Sequence, residues 1–208
     1  MLTLQDARQW YTENDEVHGF GHIERVYRLC RKIGEAEGAD IVVLLAAALL
    51  HDAQGSHPGE NSRDDHHLRS ADFAGDVLAG LGWSQDRIEA VQHCIRAHRY
   101  RKEDIPGSLE AKVLFDADKL DVIGAVGVVR ALAYAFQVGT PAFAQPSEHF
   151  LANWVTLEGE QHSAYHEYLF KLKNISSRLL TTTARAIARE RQTFLNRFFE
   201  KLAEEMQD

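Results

Sequence analysis

The sequence predicts an all-α fold. Apolar residues recur three and four positions apart through most of the chain, the longest apolar run is rich in alanine and leucine, and no stretch shows convincing strand alternation. Residues 4–13 read as an opening helix. The segment "HIERVYRLCRKIGEAEG" then spaces Ile23, Val26, Tyr27, Cys30 and Ile33 as one buried stripe, with Gly38 placed to end the helix. Asp40 is a natural N-cap for residues 41–51, "IVVLLAAALLH", which are apolar on every side and too long for an ordinary strand. A loop rich in Gly, Pro, Ser and Asp follows over 54–65, so His51 and Asp52 stand where a buried helix meets a loop.

Further helices are expected near 67–80, 84–97, 108–120 and 122–136, broken at "GLGW", "EDIPG" and "QVGTPAFAQPS", with Ser84 and Ser108 as caps. Residues 138–160 carry the weakest pattern and read as an irregular, mobile stretch. From about residue 160, Leu180, Ala184, Ile187, Ala188, Phe194, Leu195, Phe198 and Leu202 mark helical text ending in one long helix. The expectation is a single domain over 1–208, with a core at about 18–136 and C-terminal helices at about 160–206.

The 208 residues, 45% of them hydrophobic, can bury a core without disulfides. A net charge of −8 argues against a nucleic-acid surface, though small anionic substrates remain compatible with a local positive pocket. The two cysteines, Cys30 and Cys94, lie in helical text and read as buried thiols. No signal peptide pattern and no run of eighteen apolar residues occurs, so a cytoplasmic protein without membrane attachment is expected, as a monomer or homodimer. The arginines of the last helix alternate with glutamates, which fits a solvated face. "GAVGVV" at 124–129 suits close helix packing and lacks the spacing of a phosphate loop.

Eleven histidines are present, several at helix ends. His22 begins a helix after two glycines, His51 and Asp52 end the buried one, and "LFDADKLD" sets Asp116, Asp118 and Asp121 in apolar surroundings. Buried carboxylates need partners, and a divalent cation among imidazoles and carboxylates is the most economical. Adjacent helical residues diverge by about 100°, so His51 and Asp52 can share one ion only near the helix end. Taken alone, the pair reads as a capped helix end or a surface pair before it reads as a metal site.

The order His22, His51-Asp52, Asp118 resembles the HD-domain superfamily of metal-dependent phosphohydrolases. "GHIERVYRLC", "ALLHDAQG", "IRAHRYRK", "SLEAKVLFDADKLDVIGAVGVVRALAYA" and "LLTTTARAIARERQTFLNRFFEKLAEE" extend the resemblance over roughly residues 18–205. They match a compact bacterial subgroup that includes nucleotide pyrophosphohydrolases. The resemblance implies an HD-type helical bundle and one divalent ion on His22, His51, Asp52 and Asp118. Manganese or magnesium would suit such N/O ligands, with nickel, cobalt, iron and zinc as alternatives. It implies hydrolysis of a small phosphorylated metabolite, a nucleoside triphosphate cleaved to release pyrophosphate foremost. Nucleotide monophosphatase or cyclic-nucleotide phosphodiesterase activity, or a non-catalytic nucleotide sensor, are the alternatives.

Within that frame Lys119, beside Asp118, is a candidate phosphate contact and otherwise an exposed helix lysine. Arg25, one turn beyond His22, could face the same pocket. His93 and His98 are candidates for substrate contact, and His98 also for proton transfer; His93 equally suits a core position. Asp121 is a candidate base or outer partner of the metal ligands, and His57 a loop residue that could close over substrate. His66 and His67 could bridge to a second ion, although a polar helix start is the simpler account and one tightly held metal is preferred.

Overall fold

A computed structural model describes residues 2–11, 19–54, 65–99 and 105–207. Among these every regular element is helical, and no single helix is long and apolar enough to cross a membrane. The chain divides into two compact units: residues Met1–Lys119 with Leu179–Ala184, and residues Leu120–Arg178 with Arg185–Asp208.

The first unit opens with α1, Leu4–Ala7, started by a capping box between Thr3 and Asp6 and continued by a 3-10 turn over Arg8–Trp10. The opening helix is thus shorter than its sequence suggests, since Tyr11 turns to extended backbone. α2, Phe20–Glu37, buries Ile23, Val26, Cys30 and Ile33 and stops at Gly38, whose φ of 83° is the left-handed conformation a glycine adopts without strain. α3, Ile41–Leu50, begins as expected at Asp40, whose carboxylate accepts from the Val42 and Val43 amides. Its residues Val43 to Leu50 are all buried, each fully buried leucine contributing about 1.5–3 kcal/mol. α2 and α3 approach closely at Gly34, where a Cβ would meet Leu44 Cδ2 at 2.4 Å.

α4, His66–Gly80, and α5, Gln85–Ala97, follow, with α5 packed on both α3 and α4. Ser84 precedes α5 without a side-chain capping bond, whereas Ser108 does accept from the Ala111 amide at the start of α6, Leu109–Leu120. Residues 179–184 return to this unit. Thr181 Oγ1 accepts from the Ala184 amide, and Glu37 from the Thr183 amide, as the chain enters the long final helix α10, Thr182–Glu205.

The second unit holds α7, Gly124–Gln137; α8, Glu148–Asn153; α9, Ala164–Phe170; a 3-10 stretch over Leu172–Arg178; and α10 from Arg185 onward. Tyr168 stacks on Phe199 with ring centroids 4.7 Å apart. The expected irregular stretch, 138–160, contains α8 and is organised by one carboxylate. Glu160 accepts from the Ser147 amide, the Ser147 hydroxyl and the Leu157 amide, each at 2.8 Å, and these bonds hold its carboxyl down at about 2.

Candidate metal centre

His22 lies in the first turn of α2, and its imidazole is buried. His51 is the C-cap residue of α3, and Asp52 is the next residue, already beyond the helix. His51 keeps helical φ and ψ, and the Ala53 amide donates to the Leu50 carbonyl at 3.2 Å, so the helix gives way here to a tighter turn rather than continuing. Asp118 sits in the last turn of α6. His22 Nε2 is 3.4 Å from His51 Nε2, 3.5 Å from Asp118 Oδ1 and 3.8 Å from Asp52 Oδ2, while His51 Nε2 is 3.7 Å from Asp52 Oδ2. Donors about 3.0–3.9 Å apart are what one ion at bonds of about 2.1–2.4 Å requires of adjacent ligands.

The orientation of these atoms tests the fit to a cation. His51 Nδ1 faces the Ala48 carbonyl at 2.9 Å, so that nitrogen carries the hydrogen and Nε2 presents its lone pair. His98 Nδ1 faces the Ile95 carbonyl at 2.6 Å, and its Nε2 lies 3.6 Å from Asp52 Oδ1. Lone pairs and carboxylate oxygens thus face one another in a buried space, which is repulsive unless positive charge lies among them. Asp52 Oδ1 is buried and has no aligned hydrogen bond, although His66 Nε2 approaches to 3.1 Å. The residues fit a divalent cation.

Two donor groups meet at Asp52. His22, His51 and Asp118 form one, and Asp52, His66 and His98 the other, each with its ligand atoms within 4.8 Å of one another. Burial pushes the Asp52 carboxyl up, but the imidazoles of His51, His66 and His98 outweigh it and hold the group well below the usual carboxylate range. At Asp118 burial is likewise outweighed, by Lys119 first and then by His22, His98 and His51, so this carboxyl also lies far down. Burial pushes the His98 imidazole down to about 4, against the opposing pull of Asp52.

The structure brings together His22, His51, Asp52, His98, Asp118 and Lys119. Lys119 Nζ lies 2.6 Å from Asp118 Oδ2 and 3.4 Å from the His98 carbonyl, with the Phe115 ring 5.0 Å away. Arg25 is half-buried and reaches back along α2, where a Cβ on Gly21 would lie 3.4 Å from its Nη1. His93 stands elsewhere, its Nε2 accepting from the Gly107 amide at 3.2 Å. Asp121 belongs to the second unit, where its carboxylate is bound by the buried Arg130 guanidinium. His57 lies outside the described residues.

Asp116 departs from the cation account. Its buried carboxylate accepts from the Leu180 amide at 2.8 Å and from the Thr181 amide and hydroxyl at 2.7 Å each, so backbone and hydroxyl donors compensate it. His66 exceeds the polar helix start anticipated for it, because its ring is buried against Asp52.

Sequence reasoning also missed Tyr11. Its hydroxyl donates to the Leu49 carbonyl at 2.8 Å, satisfying an end group of α3, and its ring packs on Phe20 two residues before His22. Burial first, then the charge of Asp52, pushes this phenol well up. Nothing in the local pattern of a tyrosine after "RQW" signals a partner 38 residues away. The chain just past Asp52 is held by α4: Ser70 Oγ accepts from the Gln54 amide at 3.1 Å, and Arg69 donates to the Gln54 carbonyl at 3.2 Å.

Imidazoles and carboxylates converging from separate helices, buried except for the half-buried Asp118, are the arrangement of a metal-dependent hydrolase. Comparison with known proteins gives the family. A family model described as the HD domain matches residues 19–123. The Bacillus subtilis protein YpgQ is 31% identical over 97% of this chain and 93% of its own length. The crystal structure of YpgQ in complex with ADP gives a TM-score of 0.71 at 29% identity, covering 98% of this chain and 97% of that one. A Lactobacillus plantarum protein gives a TM-score of 0.72 at 28% identity, covering 99% and 95%. The chain belongs to the HD-domain superfamily of metal-dependent phosphohydrolases.

Proposed function

We propose that this protein hydrolyses a phosphoanhydride bond of a small nucleotide, foremost a nucleoside triphosphate with release of pyrophosphate. The divalent ion, manganese or magnesium, would be held by His22, His51, Asp52 and Asp118. The observation that carries this reading is the convergence of the buried His22, His51 and Asp52 with the half-buried Asp118, the His51 lone pair turned toward the group, from helices α2 and α6 and the end of α3. The ADP bound in YpgQ supports a nucleotide as the ligand class. When bound, the ion supplies Lewis acidity toward a phosphoryl oxygen and lowers the pKa of a coordinated water.

The chain's own residues supply binding and orientation. Lys119 directs two of its ammonium hydrogens to Asp118 and to the His98 carbonyl, and the third is assigned to a phosphate oxygen. Arg25, folded back toward the start of α2, is assigned a second phosphate contact. His98, with its imidazole pushed down to about 4, accepts a hydrogen bond at neutral pH and orients the attacking water more than it takes up the proton. Asp121 is given no proton transfer, because Arg130 engages its carboxylate, and His93 is assigned the support of the loop at Gly107.

The test is phosphorus NMR on a panel of nucleoside tri-, di- and monophosphates and cyclic nucleotides, with defined added metals, comparing wild type with Asp52→Ala. Pyrophosphate released from triphosphates and lost in the variant is the expected result. Orthophosphate from monophosphates, or opening of cyclic nucleotides, with triphosphates untouched would overturn it.

A further inference from the structure

His66 is held differently from its neighbours. His51 and His98 each turn Nδ1 to a backbone carbonyl, which only accepts, so their hydrogens sit on Nδ1 and their lone pairs on Nε2. At His66 it is Nδ1 that meets Arg99 Nη1, at 3.3 Å. A guanidinium only donates, so Nδ1 of His66 accepts and the ring hydrogen resides on Nε2. That nitrogen lies 3.1 Å from Asp52 Oδ1.

The difference decides how many ions the centre takes. Asp52, His66 and His98 have the spacing of a second metal site, with ligand atoms within 4.8 Å of one another. A nitrogen coordinates only through a lone pair, and in this tautomer the face that His66 turns toward Asp52 carries a hydrogen. The guanidinium lies on the far side of the ring, at Nδ1, and holds the tautomer from there. We propose that Arg99, acting through His66, is a positioning residue: it keeps the ring hydrogen of His66 on the nitrogen that faces Asp52 and limits the centre to the single ion on His22, His51, Asp52 and Asp118. This rests on the metal assignment made above. The architecture supports it, since Arg99 follows the C-cap residue of α5 and His66 is the first residue of α4, two helices packed along their lengths.

Two measurements test it. Long-range proton–nitrogen correlation spectra of protein labelled with ¹⁵N-histidine report the tautomer of each ring, in the metal-free and the zinc-loaded protein. Elemental analysis and manganese titration count the ions per chain. Expected for the wild type are a His66 ring with hydrogen on Nε2 and one ion per chain. In Arg99→Met the His66 hydrogen shifts to Nδ1 and the count rises toward two. His66→Gln, which keeps an N–H near Oδ1, retains one ion with an affinity within about threefold of wild type. Should Arg99→Met fail to fold, the wild-type spectrum and His66→Gln still decide. Hydrogen on Nδ1 of wild-type His66, two ions per wild-type chain, or an Arg99→Met protein unchanged in both tautomer and count each overturns the proposal. Binding of no ion at all instead overturns the metal assignment, and the tautomer measured without metal keeps the two failures distinct.

Discussion

Replacing Asp116 by asparagine isolates the junction that ties helix α6, which carries Asp118, to the start of α10. Asp116 Oδ1 accepts from the Leu180 amide, and Oδ2 from both the Thr181 amide and hydroxyl. Asparagine keeps the volume but has one acceptor oxygen and one donor nitrogen. Its better orientation retains the two Thr181 contacts and sets its NH₂ against the Leu180 N–H. One hydrogen bond to a charged group is then lost, about 1.5–3 kcal/mol, and a donor is left without its acceptor, about 1–3 kcal/mol. Relief of the buried negative charge offsets part of this, leaving a net cost of about 2–4 kcal/mol. Against a total stability of roughly 5–15 kcal/mol, that is a large share. Equilibrium unfolding in urea at pH 7 with chelator present reads it as a midpoint shift of roughly 1–2 M for a slope of about 2 kcal/mol/M. Thr181→Val removes only the hydroxyl contact and should cost about 1 kcal/mol. A midpoint for Asp116→Asn within about 0.2 M of wild type would refute the reasoning, since the three bonds would then contribute nothing net.

Three further outcomes are expected. Tyr11→Phe leaves the Leu49 carbonyl without its hydroxyl partner and should lower stability by about 1–3 kcal/mol, with weaker ion binding by calorimetry because the α3 end relaxes; unchanged affinity would deny Tyr11 its influence on His51 and Asp52. Gly34→Ala places a Cβ 2.4 Å from Leu44 Cδ2 and should cost about 1–3 kcal/mol in thermal or urea unfolding, less only if the leucine swings aside freely. His98 is pushed down to about 4 in the folded protein, whereas its unfolded value is about 6.5. Between those values the unfolded chain binds a proton that the folded chain does not, so the chelated protein should lose up to about 3 kcal/mol as pH falls from 6.5 to 4 and level off below. His98→Gln should flatten that part of the profile; an unaltered slope would assign it to other groups.

Much of the helical layout was legible because it rests on local chemistry. Asp40 caps α3 and Gly38 ends α2 through bonds within a few residues, and the apolar run of α3 is buried from Val43 to Leu50. The four proposed ligands were found through a family resemblance joined to the principle that buried polar groups need partners. What stayed hidden depends on contacts distant in sequence. Asp116 was placed with Asp118 as a carboxylate in need of a cation, and its partners turned out to be backbone and hydroxyl groups 64 and 65 residues away. The stretch around 138–160 looked irregular because its order comes from Glu160 reaching back 13 residues to Ser147, which leaves no periodic trace. Likewise the helix-start histidine His66 meets partners distant in sequence, Asp52 14 residues before it and Arg99 33 residues on.

The position of the His51-Asp52 pair follows from these constraints taken together. Within a helix, neighbours about 100° apart would send one side chain to the centre and the other aside. At the end of α3 the backbone is free to turn, but a free end would also fray, and its last carbonyls would lack partners. The molecule meets the second problem without closing off the first: Tyr11 takes the Leu49 carbonyl, His51 Nδ1 takes that of Ala48, and Ser70 and Arg69 hold the backbone at Gln54. Asp52 therefore leaves the helix on a fixed path and presents Oδ2 to His22 and His51 and Oδ1 to His66 and His98. An apolar helix ending in a histidine and an aspartate can serve as the proposed metal centre because two other segments, the one carrying Tyr11 and the start of α4, hold its end. Loosening any of those holds should weaken ion binding before it unfolds the bundle.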